Sequence, residues 1–310
     1  MCGIIGYIGS KPAPNIILEG LRRLEYRGYD SAGIVTLNKG KFELRKKAGR
    51  INDLATVLRK QPAHGNTGIG HTRWATHGAP TDENAHPHLD QSGKIALVHN
   101  GVIENHQQLK DKLLAAGHKF TSQTDTEVLA HLVGEYYKGD LTEAVRLALK
   151  DVVGTYGIAV VHVDHPDLIV GARRGSPLLL GVGRDENFLA SDVSAIIAHT
   201  RRVVYLNDFE IVTLTRDDFQ VSTIEAATVT PQVREVEFAA EEVERGKYPH
   251  FMLKEIYEQP RVVENALRGR ISHDEFMNAP YRLFDMLDAN HDDRITSDEV
   301  DAARARRTRG

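Results

Sequence analysis

Residues 2–9 read CGIIGYIG, an alternation of small and apolar residues that marks a buried strand at the head of the chain. Pro12 and Pro14 follow, and then Ile17, Leu18, Leu21 and Leu24 recur at helical spacing on one face. The run EYRGYDSAGIVTLN (25–38) passes through a Gly-rich turn into a second strand, with a helix expected near 52–60 and a strand at IGHTRWAT (69–76). IALVHNGV (95–102) reads as a strand ending in a tight Asn100-Gly101 turn. Leu109, Leu113 and Leu114 then mark a helix that stops at Gly117. TDTE (124–127) has the capping-box pattern ahead of Val128, Leu129, Leu132 and Val133, and another helix is expected over 141–150. From 156 to 224 the pattern changes to short apolar runs, one strand after another. Strands and helices arrive in groups, so the fold class is α+β, with two mostly antiparallel sheets covered by helices in an α/β/β/α layering. The acidic stretch 225–247 reads as the start of a linker.

The 310 residues carry 39 basic and 43 acidic side chains, a net charge of −4, so no basic excess favours a nucleic-acid partner. Apolar runs such as IAVVHV (158–163) are far shorter than the roughly 18 residues of a spanning helix, so no membrane crossing is expected. No signal-peptide pattern opens the chain and its one cysteine cannot form an internal disulfide, which points to the cytoplasm. Gly68-Ile69-Gly70 and Gly181-Val182-Gly183 lack the third glycine of a dinucleotide fingerprint and are read as turns. His86-Pro87-His88, with His71 and His99, matches no zinc spacing among the fifteen histidines.

That one cysteine is Cys2. Removal of the initiator methionine would make it the N-terminal residue, carrying a thiol and an α-amine whose pKa is about 7.7 to 8.0. Such an amine can take the thiol proton directly or through one water, so Cys2 is the candidate nucleophile.

Cys2 together with EGLRRLEYRGYDSAG (19–33), GHTRWATHG (70–78), NAHPH (84–88), VHNGVIENH (98–106) and TDTEVLAHL (124–132) resembles the glutaminase domain of the glutamine:fructose-6-phosphate aminotransferases, with KEIYEQP (254–260) and GRISH (269–273) extending the likeness. The resemblance implies the N-terminal-nucleophile hydrolase sandwich and the hydrolysis of L-glutamine to glutamate and ammonia without a cofactor. It assigns catalytic roles to Cys2 as nucleophile and to Asn100 and Gly101 as the side-chain and backbone N–H donors to the oxyanion. It assigns Arg73 to the substrate α-carboxylate, Asp125 to its α-ammonium, and Trp74, Thr76 and His77 to the segment that closes over glutamine. Taken alone, Trp74 would be a core residue. The resemblance covers no sugar-isomerase half, so a separate ammonia acceptor or isomerase partner is expected.

DANHDDRITSDE (288–299) resembles instead an EF-hand loop, with Ca²⁺ the expected ion and Asp288, Asn290, Asp292, Arg294 through its carbonyl, Thr296 and Glu299 as ligands. Asp293 stands where the loop needs glycine, which weakens binding. The expected organisation is therefore a glutaminase domain over 2–224, a linker over 225–275 and an EF-hand-like helical segment over 276–310. A second reading is a calcium-responsive regulatory or binding protein on a glutaminase scaffold.

Overall fold

The computed structural model describes residues 2–75, 77–236, 248, 253–254 and 256–259. The chain forms two compact units, Met1–Glu244 and Arg245–Gly310. In the second, Tyr248 and Tyr257 stack with ring centroids 5.8 Å apart.

The first unit runs in the order β1 (Gly3–Gly9), α1 (Ala13–Leu24), β2 (Ser31–Asn38), β3 (Lys41–Ala48), α2 (Ile51–Lys60), β4 (Thr67–Arg73), β5 (His88–Leu89), β6 (Ile95–Ile103), α3 (His106–Ala115), α4 (Asp125–Tyr136) and α5 (Leu141–Lys150). Strands then dominate: β7 (Gly154–His162), β8 (His165–Arg174), β9 (Leu179–Val182), β10 (Glu186–Ala190), β11 (Arg202–Tyr205), β12 (Glu210–Leu214), β13 (Phe219–Thr223), β14 (Thr228–Val229) and β15 (Arg234–Glu235). They form an eight-stranded sheet, β15-β11-β9-β10-β1-β4-β2-β3, and a seven-stranded sheet, β14-β13-β12-β8-β7-β6-β5. Every strand pairing within the two sheets is antiparallel.

Strand alternation accounts for the layers. Ile5 and Tyr7 of β1 pack with Ile17, Leu21 and Leu24 of α1, while Ile4 and Ile8 of the same strand face the other sheet. On β6, Leu97 packs beneath the helices with Leu129 and Val133, while Ala96 and Val98 join Ile4 and Ile69 between the sheets. Strands buried on both faces carry apolar residues at successive positions, which is why CGIIGYIG and IALVHNGV lack polar alternation.

Three local readings are corrected. Gly68 and Gly70 are no turn but the middle of β4, because helix α1 lies hard against them: a Cβ at Gly70 would stand 2.4 Å from Ile17 Cγ2. Asn100 and Gly101 likewise sit inside β6, opposite Gly157 and Tyr156 of β7. Gly101 has φ +130° and a Cβ there would stand 2.2 Å from the Thr155 carbonyl oxygen, so the glycine serves close strand approach rather than a hairpin. Finally, the stretch from 225, expected as linker, supplies β14 to one sheet and β15 to the other, so the layered body continues past 224.

Candidate active site

Antiparallel registry assembles the site. Gly3 of β1 faces Thr72 of β4, which sets Cys2 beside Arg73 and Trp74 at one end of the eight-stranded sheet. Asn100 and Gly101 come from β6 in the other sheet, and Asp125 is the first residue of α4. Together with His77 these residues line one cavity of about 280 Å³, to which Arg27, His86, His99, Val102, Thr124, Thr126, Ser176 and Pro177 also contribute. Ligand cavities commonly begin near 300 Å³, so this volume suits something the size of an amino acid.

The Trp74 backbone N–H donates to Cys2 Sγ at 3.1 Å. Burial pushes the Cys2 thiol pKa up, a shift the Trp74 N–H and nearby positive charge only partly oppose. A thiol so placed is protonated at neutral pH and needs a base to react, which is the part an α-amine on the same residue would fill. Asp30 holds the neighbouring segment: its Oδ2 accepts the Ala75 N–H at 2.6 Å and its own N–H donates to the Arg73 carbonyl at 3.0 Å.

Arg73 is 3 % exposed, and its guanidinium donates to the carbonyls of Ala79 and Gly78, each at 3.2 Å, and of His77. The arginine therefore ties down the loop 77–79, and the same residue lines the cavity. Asp125 accepts the Ile103 N–H at 2.9 Å through Oδ2. That bond uses one of about four acceptor positions of a carboxylate and orients the rest. The Asn100 amide Nδ2 donates to the Cys2 carbonyl at 3.1 Å, and its Oδ1 is 3.0 Å from His71 Nε2.

Two details differ from the sequence reading. Trp74 is 46 % exposed, with its ring edge-on to Tyr29 at a centroid distance of 5.4 Å, so it is not a core residue. The capping box at α4 is half made: Thr124 Oγ1 accepts the Glu127 N–H at 3.3 Å, but the Glu127 carboxylate turns to the N–H and hydroxyl groups of Thr121 and Ser122. His77 packs edge-on to His106 at 5.1 Å. Thr76 lies outside the described residues, as do all six expected calcium ligands, Asp288, Asn290, Asp292, Arg294, Thr296 and Glu299.

The histidines come together without making a metal site. His71 and His86 stack at 4.2 Å and His86 meets His88 edge-on at 5.0 Å, yet no group of three metal-ligating side chains among the described residues could hold an ion. Nor is any helix among those residues long and apolar enough to cross a membrane.

Sequence reasoning assigned no role to Asp30, Ser176 or Pro177, and weighed His71 only as a metal ligand. Asp30 and His71 lie within segments already conspicuous for their motifs, EYRGYDSAG and GHTRWATHG. Ser176 and Pro177 reach the cavity from the connection between β8 and β9, and nothing local to that loop announces it.

Residues 44–249 match the family profile described as a glutamine amidotransferase domain. The glutamine–fructose-6-phosphate aminotransferase (isomerizing) of Thermus thermophilus is 54 % identical over 275 residues, 89 % of this chain and 45 % of the relative. That of Thermococcus kodakarensis is 52 % identical over 272 residues, 87 % of this chain and 45 % of the relative. The chain thus spans about 45 % of the length of these curated relatives. Among solved structures, the glutamine phosphoribosylpyrophosphate amidotransferase of B. subtilis superposes with a TM-score of 0.63 at 28 % identity, over 73 % of this chain and 50 % of that one. The layered pair of antiparallel sheets, the cysteine at the head of its first strand and the match over residues 44–249 lead to one assignment: this chain belongs to the glutamine amidotransferase domain family.

Proposed function

We propose that the chain hydrolyses L-glutamine to glutamate and ammonia, with Cys2, freed of Met1, as nucleophile. The observation that carries this reading is one cavity lined together by Cys2, Arg73, Asn100, Gly101 and Asp125. The α-amine of Cys2 takes the thiol proton, and the thiolate attacks the side-chain amide carbon. Negative charge gathers on the amide oxygen, which Asn100 Nδ2–H and the Gly101 N–H stabilise. Donors of this kind are worth roughly 2.7 to 4 kcal/mol each. The proton returns to the departing nitrogen, ammonia leaves, and water cleaves the thioester to glutamate.

At the other end of the substrate, Arg73 takes the α-carboxylate and Asp125 the α-ammonium, with Trp74, Thr76 and His77 covering the bound amino acid. Arg73→Lys keeps the charge but loses the planar fork, so kcat/KM for glutamine should fall by at least about 10-fold, with a smaller loss for an analogue lacking the α-carboxylate. Equal losses on the two substrates would make Arg73 a purely structural residue. Asp125→Asn should raise KM for glutamine while the helix cap at Thr124 remains intact. Unchanged glutamine kinetics would remove Asp125 from substrate recognition.

The relatives are named for transfer to fructose 6-phosphate, and we read the ammonia made here as destined for a sugar-phosphate acceptor site in amino-sugar formation. That site belongs to a further stretch of polypeptide, in the same protein or in a partner. The cytoplasm is the compartment proposed for it. Within the chain we assign the amidotransferase domain to the layered body that begins at Cys2, followed by a connecting segment and the EF-hand-like stretch 276–310. The calcium reading of that stretch rests on five oxygen-bearing side chains in loop register, Asp288, Asn290, Asp292, Thr296 and Glu299. A single loop without the central glycine should bind Ca²⁺ with Kd of roughly 10⁻⁴ to 10⁻³ M. Calorimetry of the full chain against its Glu299→Gln variant tests this, and identical isotherms would retire the calcium site.

A further inference from the structure

The hydrogen-bond chain behind Asn100 has only one consistent assignment. The Cys2 carbonyl oxygen can only accept, so the end of the Asn100 amide 3.1 Å from it is the NH₂ group. The opposite end is then Oδ1, which also can only accept. His71 Nε2, 3.0 Å from Oδ1, must therefore carry its hydrogen. That leaves the lone pair on His71 Nδ1, which is buried and has no hydrogen-bond partner among the described residues. A bare ring nitrogen tolerates such a place better than an N–H would. The ring is fully buried and packs against His86 at 4.2 Å with an interplanar angle of 31°, which limits its rotation. Burial also pulls the His71 pKa down to about 3, so the ring stays neutral in the tautomer just derived.

We infer that His71 is a positioning residue for glutamine hydrolysis: its Nε2–H holds the Asn100 side chain in the orientation that presents Nδ2 to the developing oxyanion. This rests on the proposed reading of Asn100 as an oxyanion donor. Nδ2 has two hydrogens, one engaged by the Cys2 carbonyl and one left for the substrate. In the reversed orientation Oδ1 would face the oxyanion, so the reaction would lose a donor and gain a repulsion. Binding of the zwitterionic end of glutamine, assigned to Arg73 and Asp125, does not pass through His71.

The test compares three His71 variants with wild type by steady-state glutaminase kinetics. His71→Phe keeps a flat ring but has no donor, so kcat should fall about 10- to 100-fold, below the 10²- to 10³-fold typical of deleting an oxyanion donor. KM for glutamine should stay within about 3-fold, since ground-state binding is untouched. His71→Gln places an amide N–H near the former Nε2 and should recover most of kcat. His71→Asn is equally polar but too short to reach Asn100, and should behave like His71→Phe. The Gln and Asn pair decides the matter even where the Phe variant does not fold. In an Asn100→Ala background, His71→Phe should add little further loss. Full kcat in His71→Asn, no recovery in His71→Gln, or additive losses with Asn100→Ala would each overturn the inference. Undiminished kcat in Asn100→Ala alone would instead overturn the oxyanion role of Asn100, a distinguishable failure.

Discussion

Cys2→Ala should abolish release of glutamate from glutamine, a fall in kcat of at least about 10⁴, the scale seen when a catalytic nucleophile is deleted. No second thiol can replace it, since Cys2 is the chain's only cysteine, and the hydroxyls of Thr124, Thr126 and Ser176 that also line the cavity are far weaker acids than a thiol. Cys2→Ser should be nearly as inactive, because the hydroxyl is far less acidic than a thiol of pKa about 8.5 and the α-amine cannot activate it comparably. The wild-type chain, assayed with fructose 6-phosphate present, should release glutamate and form no glucosamine 6-phosphate. The glutamine analogue 6-diazo-5-oxo-norleucine should modify Cys2 and no other residue, as read by mass spectrometry of the mature N-terminal peptide. Turnover persisting in Cys2→Ala would remove the mechanism altogether.

The second large effect is loss of stability in mild acid. His71, His86 and His88 are each at least 95 % buried, with relative exposures of 0 %, 5 % and 3 %. Burial, reinforced by neighbouring positive groups such as Arg73, holds His71 and His88 down to about 3 and His86 well below its usual value. The unfolded chain protonates these rings near pH 6.5, whereas the folded chain keeps them neutral. Below pH 6.5 the unfolded state therefore binds more protons, and stability falls as pH falls, over a window from 6.5 toward 3. Each ring costs about 1 kcal/mol per pH unit in that window, so three cost about 3 to 4 kcal/mol between pH 6 and pH 5. That is a large share of the ~5 to 15 kcal/mol that holds a domain folded. Urea midpoints at pH 7.5, 6.0 and 5.0 should drop steeply across the last interval, and His88→Gln should reduce the slope by about a third. The window distinguishes histidines from carboxylates: Glu127 and Asp82 are held below their usual values and stay ionised above pH 5. A flat midpoint from pH 7.5 to 5.0 would show that the rings titrate normally.

Much of the architecture was legible in the chain because it is written in short periods. Ile17, Leu21 and Leu24 repeat at helical spacing, and α1 spans Ala13–Leu24 with those residues buried. The grouping of strands from residue 156 onward, after a group of helices, was enough to expect antiparallel sheets rather than a doubly wound parallel one, as observed. Cys2 stood out by position alone, before any geometry was known. What failed was the reading of glycine. Gly70 and Gly101 look like turn residues in a linear sequence, yet each lies in a strand where a helix or a neighbouring strand leaves no room for a Cβ. The short strands at 228–229 and 234–235 were also unreadable, because two residues carry no period and exist as strands only through the edges of β13 and β11.

The sequence by itself therefore determined the layers and the order of the elements and singled out Cys2 as the candidate nucleophile, since these depend on side-chain periodicity and on chemistry carried by single residues. Only the tertiary structure decided the rest. It tied Arg73 to the carbonyls of 77–79, turned Glu127 away from Thr124, left Trp74 half in solvent, and placed His71 behind Asn100. The first two are settled by how a loop folds back on its own flanking residue, whereas the partner of His71 is chosen by which strands of the two sheets become neighbours. His71 and Asn100 are 29 positions apart in the chain and 3.0 Å apart in space, and no local pattern encodes that distance.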